Sequence, residues 1–204
     1  MINSIKTFYN DIARKKAFWL PVLLFTLLAY GFSLTRNTLS IDDMSLDFYG
    51  GIRGAIVASG RWGMEVWHKL LGINGYSPYI YKFFGVLFLL AAAFLMCCIF
   101  YNLKPSYSSK VYPYTFFASI IITFPLINEI WEYNGANAVV GANLFVVFLS
   151  ILYILFSEQK LWIKFLISGL MMSVVVSSYE SALFVYITAV MCVLFYRYCV
   201  LREK

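Results

Sequence analysis

The stretch SIDDMSLDFYGGIRGAIVASGRW, Ser40 to Trp62, sets Asp42, Asp43 and Asp47 just past a hydrophobic segment, with Arg53 and Arg61 close behind. Adjacent carboxylates repel, so one of such a pair holds its proton longer than the other. A carboxylate at a lipid boundary is also partly desolvated, which favours its neutral form. A base poised in this way can take a proton from an attacking hydroxyl. Guanidinium groups nearby can clamp a phosphate as it leaves. The set suits chemistry on a phosphate-bearing lipid, with Asp42 or Asp43 as the base and Arg53 and Arg61 on the phosphate. The plain alternative is a solvated loop in which Asp42 or Ser40 caps a helix. The pattern DDMSLD also resembles a magnesium–diphosphate site, but one acid cluster supplies too few ligands, and no metal is expected.

A second polar segment, NEIWEYNGANA, carries Glu129, Glu132, Tyr133, Asn134 and Asn137. Carboxylates, amides and aromatic rings are what sugar hydroxyls and sugar faces need. Glu132 and Tyr133 are therefore candidate substrate contacts, against the alternative of an ordinary turn marked by Asn134-Gly135. Lys82, near the start of the apolar stretch at 79–101, is expected either to snorkel to the headgroups or to hold a donor phosphate. His68, the single histidine, has no second ligand near it and is expected on the polar face of a surface helix. Asn143 and Ser173 fall inside apolar stretches and are expected to bond between helices.

The elements that hold these residues must be membrane helices. Of 204 residues, 62% are hydrophobic and 13% charged, against about half and about a quarter in soluble domains. Six stretches approach the roughly 20 apolar residues a crossing requires: 17–35, 79–101, 112–127, 138–156, 162–178 and 181–200. The first is expected to be a retained anchor, since AYG makes a poor cleavage site. The expected layout is a single membrane domain over 1–204. It comprises a cytoplasmic N-terminus at 1–16, a first span at 17–35, an outer loop at 36–78, five further spans over 79–200 and a cytoplasmic tail at 201–204.

Net charge is +6 with a pI near 9.1. One set of loops gathers Lys6, Arg14, Lys15, Lys16, Lys104, Lys110 and Lys160, while the other gathers most of the acids. Positive charge stays inside, which puts both termini in the cytoplasm and the Asp42–Asp43 pair outside. Arg36, Arg53, Arg61, Lys69 and Lys82 depart from this pattern. No basic stripe or finger spacing points to nucleic acid. No Walker loop, dinucleotide fingerprint or Gly-x-Ser-x-Gly elbow appears, and no cofactor is expected. Cys97, Cys98, Cys192 and Cys199 all lie in or at the ends of apolar stretches and are read as packing residues.

Within the outer loop, WGMEVWHKLLG is amphipathic. Trp62, Val66 and Leu70 share one face, with Trp67 and Leu71 beside it. Glu65 and Lys69 pair at i, i+4 on another face, and Gly72 can end the helix. The expected position is flat in the interface, with both tryptophans at headgroup level. An earlier helix is expected around Leu46–Ser59, weakened by Gly50 and Gly51.

Taken in order, SIDD after the first span, SGRWG before the amphipathic helix and SSYESALF between two late spans resemble the O-antigen glucosyltransferases of Gtr type II from phage and bacteria. The resemblance covers most of the chain and implies a GT-C-type helical bundle: an all-α membrane protein of about six spans with interfacial helices in a long first outer loop. It implies transfer of glucose, with inversion, from undecaprenyl-phosphate glucose to O-antigen lipopolysaccharide on the periplasmic face of the bacterial inner membrane. The general base maps onto Asp42 or Asp43. Arg61 and Trp62 match the family's GRW, and Tyr179 its tyrosine motif. A small flippase and a lipid-linked glucose synthase are the implied partners. Glu180 stands where the family tends to carry Gln, and its charge would repel a phosphate unless an arginine pairs with it. The resemblance implies further spans beyond these, so 1–204 is expected to correspond to the N-terminal part of such proteins. The alternative is a non-catalytic multi-span protein, such as a transporter or flippase subunit or a decayed fragment. No internal repeat supports that reading.

Overall fold

A computed structural model describes residues 1–36, 60–72, 78–103, 110–124 and 136–200. The described residues form helices and turns, as hydrocarbon demands of a backbone that must satisfy its own polar groups. The helices are α1 (Ile2–Phe8), α2 (Lys16–Thr35), α3 (Trp62–Leu70), α4 (Pro78–Leu103), α5 (Tyr112–Ile122), α6 (Asn137–Phe156), α7 (Leu161–Ser178) and α8 (Ser181–Phe195). Wider π turns extend α1 over Tyr9–Ala13 and α8 over Tyr196–Val200.

Five of these, α2, α4, α6, α7 and α8, are long and apolar enough to cross a membrane. The expected third span, 112–127, differs. Its described helix, α5, has 11 residues, about half the length a crossing needs. Proline near its start suits a first turn, whose N–H groups have no intrahelical acceptor. Thr115, Ser119 and Thr123 return their hydroxyls to the carbonyls four residues back, at 3.2, 2.8 and 2.9 Å.

The bundle is centred on α4 and α6. Over half of α6 is buried, against 11% of α8, which therefore lies at the periphery. Gly85 and Gly141 bring α4 and α6 together. A Cβ added at Gly141 would stand 2.6 Å from the Gly85 carbonyl oxygen. Close backbone approach is how helices associate where lipid and side chain are equally apolar. The Ser150 and Ser168 hydroxyls bond between α6 and α7. The Tyr30 hydroxyl donates to the Ile122 carbonyl at 2.6 Å and ties α2 to α5. Cys97 and Cys98 are buried packing residues, as expected. Ser173, expected to bond between helices, instead donates to the Leu170 carbonyl on its own helix at 2.8 Å and is exposed.

Residues 1–16 are more than a leader to the first span. Phe8, Ile12 and Ala13 are buried, and Phe8 meets the rings of Phe18, Phe94, Tyr101 and Tyr114. The Tyr101 hydroxyl donates to Asp11, Asn102 donates to the Ser4 carbonyl, and the terminal ammonium donates to the Phe156 carbonyl. This docked segment closes one end of the bundle, where α4 and α6 finish and α5 begins. The opposite end collects the last turns of α2, α5 and α7 and the first turns of α4, α6 and α8. There the candidate site lies.

Candidate active site

Gly60 has a φ of +69°, a backbone state that disfavours any side chain with a Cβ. The turn it permits aims the chain into α3 with Arg61 at the cap position. At the other end of α3, Gly72 adopts φ +66° and stops the helix, as the sequence suggested. The expected pair also forms, with Lys69 Nζ 3.2 Å from Glu65 Oε1.

The face of α3 that packs on the bundle is not its bulky apolar one. Trp62 is 55% and Leu70 71% exposed, whereas Gly63, Met64 and His68 are buried. The reason is Gly63. A Cβ there would lie 2.6 Å from the Val174 carbonyl oxygen and closer still to the Ser177 and Ser178 hydroxyls. The missing side chain lets α3 press its backbone onto the end of α7. Trp67, expected at headgroup level, turns inward and donates its indole N–H to Asn143 Oδ1 at 3.0 Å. Asn143 is thus an inter-element hydrogen-bonding residue, as expected. His68, expected on a polar face, is buried edge-on to the Tyr81 ring at 5.2 Å.

Seating α3 on α7 carries Arg61 to the α7–α8 junction. That junction is Tyr179, an extended residue between two helices, followed by Glu180 as the cap of α8. The Arg61 guanidinium lies over the Tyr179 ring, 5.0 Å from its centroid, and 3.8 Å from Glu180 Oε2. Three residues singled out from two distant motifs therefore meet. The negative charge of Glu180 has the arginine partner that the sequence reading required. The ion pair is exposed, with Glu180 70% accessible, so it contributes at most about 1 kcal/mol. Its value is geometric: ring and carboxylate hold a guanidinium whose remaining N–H donors can meet an anion.

Trp62 sits beside this cluster with its ring outward. Lys82, expected to snorkel or to hold a donor phosphate, is 1% exposed. Its ammonium donates to the Arg36 carbonyl at 3.4 Å, joining the start of α4 to the exit of α2. Asp42, Asp43, Arg53, Glu132 and Tyr133 lie outside the described residues.

Sequence reasoning missed two features of this end, the Gly63 seat and the Trp67–Asn143 bond. The first had a signal in SGRWG, where a small residue follows the tryptophan within an otherwise bulky segment. The second had none beyond a buried amide.

The family model described as glucosyl transferase GtrII matches residues 31–202, from the last turns of α2 through both motifs that build the cluster. No curated protein and no solved structure matches the chain. The likeness expected from SIDD, SGRWG and SSYESALF thus extends over most of the sequence, and the chain belongs to the GtrII glucosyl transferase family.

Proposed function

We propose that the protein transfers glucose from undecaprenyl-phosphate glucose to an O-antigen sugar at the outer, periplasmic face of the bacterial inner membrane. The observation that carries this reading is the cluster of Arg61, Tyr179 and Glu180 at one end of a membrane bundle belonging to a glucosyl transferase family. A guanidinium at the membrane edge, held from two sides, is a receptor for a lipid-borne phosphate.

In this reading Asp42 or Asp43 accepts the proton of the acceptor hydroxyl. The hydroxyl oxygen forms a bond to the anomeric carbon of glucose. The bond from that carbon to the phosphate oxygen breaks, and its electron pair leaves with the polyprenyl phosphate. Attack opposite the leaving group inverts the anomeric centre. Arg61, with Arg53 and Lys82, takes up the charge that grows on the phosphate. Trp62, Glu132 and Tyr133 contact the sugars. A lipid-linked glucose synthase and a flippase supply the donor from the cytoplasmic side.

The test is O-antigen glucosylation in cells carrying Asp42→Ala or Asp43→Ala. Loss of transfer by one of them, with normal membrane insertion, is expected. Full transfer by both would overturn the assignment.

A further inference from the structure

Between α4, α5, α6 and α8 lies a cavity of about 450 Å³, open on one side. Its walls are apolar, with Leu89, Ile120, Leu144, Phe148 and Val185 contributing from the four helices. Two lining residues belong to the candidate site. Tyr179, beneath the Arg61 guanidinium, forms part of the wall. So does Asn143, which is 1% exposed.

Asn143 is the buried amide of this otherwise apolar wall. The indole of Trp67 can only donate, so the amide atom facing it must be the oxygen. The amide nitrogen therefore points elsewhere, and it has no hydrogen-bond partner among the described residues. A buried donor left unpaired costs about 1–3 kcal/mol, so such a group marks a place where a ligand acceptor belongs. An apolar chamber with one buried N–H donor and a guanidinium over its Tyr179 wall matches an amphiphile whose chain is hydrocarbon and whose head is an anionic ester.

We infer that this cavity holds the head-proximal part of the donor's prenyl chain, with the phosphoester between the Asn143 amide and Arg61. The inference rests on the lipid-phosphate donor of the proposed function and adds a limit to it. At roughly 30 Å³ per carbon-sized group, 450 Å³ takes about fifteen such groups, or about three five-carbon units. The remainder of a longer carrier lies in the bilayer. The protein thus reads the first few units and the phosphate, and is indifferent to total chain length.

The probe is a fifteen-carbon prenyl phosphate bearing a diazirine on its last unit, applied to the full chain in lipid nanodiscs. Photolabelling is expected at inner pocket residues such as Leu89 and Leu144. Unlabelled fifteen-carbon and fifty-five-carbon prenyl phosphates should compete within about threefold of each other, and the corresponding alcohol at least tenfold less well. Ala182→Phe, which fills the cavity, and Asn143→Leu should each lower labelling at least fivefold. A diazirine phosphatidylglycerol should instead label outward-facing residues such as Leu166 and Phe184.

Labelling of the native chain outside the cavity would overturn the inference, whether or not the variants fold. So would equal labelling of the cavity by the phospholipid. Asp42→Ala should retain prenyl labelling. If Asp42→Ala and Asp43→Ala both also retained glucose transfer, the assignment of the base would fail while the cavity assignment stood.

Discussion

Arg61 lies over Tyr179, its guanidinium carbon 5.0 Å from the ring centroid, although the two residues come from opposite halves of the chain. The contact joins the start of α3 to the break between α7 and α8, and it orients the guanidinium without consuming its donors.

The first prediction concerns that guanidinium. Arg61→Lys should lower glucose transfer at least tenfold, because an ammonium is a point charge and cannot stack and fork at once. Thermal unfolding should shift little, since so exposed an ion pair is worth at most about 1 kcal/mol. Transfer by Arg61→Lys at the native rate would remove Arg61 from the site.

Gly63 should be intolerant of any side chain. Gly63→Ala puts a methyl group against the Val174 carbonyl and both serine hydroxyls, and overpacking of this kind costs about 1–3 kcal/mol. A lower melting temperature in detergent is expected, together with a red-shifted tryptophan emission as α3 lifts. An unchanged melting temperature would show that α3 has no fixed seat.

Trp67→Phe keeps the ring but deletes the donor to Asn143 Oδ1. Leaving that buried acceptor unpaired should cost about 1–3 kcal/mol. The double variant Trp67→Phe with Asn143→Leu should recover part of the loss, as both polar partners are then gone. A double-mutant cycle in detergent reads the coupling, and strict additivity of the two changes would deny the bond.

Topology gives the fourth prediction. With the native cysteines replaced, Ser45→Cys should react with a membrane-impermeant maleimide added to the periplasmic side. Ser4→Cys should react only after the membrane is permeabilised. The reverse pattern would invert the bundle and remove the outer active site.

The docked N-terminal segment supplies a fifth. Asp11→Ala removes the acceptor of the Tyr101 hydroxyl. Proteolysis near Ile12 should become faster by severalfold, with glucose transfer little changed, because this contact lies at the end of the bundle away from Arg61. Unaltered protection would mean that the Phe8 ring cluster alone holds the segment.

Much of the architecture was legible in the sequence. Runs of about twenty apolar residues announced α2, α4, α6, α7 and α8, and the Tyr179-Glu180 break between the last two was placed correctly. Glu65 and Lys69 paired as their spacing required, and Gly72 closed α3. These are local matters of period, capping and length. The face of α3 was different. Trp62, Val66 and Leu70 were read as the face toward the interface, but nothing in their spacing told that Gly63, Met64 and His68 would be the residues buried against the bundle. Side-chain size predicts burial where water is the alternative. At a membrane surface, apolar groups can face lipid, and small residues decide where backbones meet. Lys82 was left between the headgroups and a donor phosphate, and its spacing gave no sign of the carbonyl acceptor that Arg36 at the end of α2 offers it.

The sequence by itself determined that this is a helical membrane protein, which stretches are long enough to span, and which motifs carry the family likeness. All of that follows from composition, spacing and order along the chain. Only the tertiary structure decided that Arg61 meets Tyr179 and Glu180, that Trp67 turns inward to Asn143, and that an apolar cavity opens beside them. Those relations depend on how far two helices can approach, and Gly63 permits that approach only because the end of α7 lies across from it.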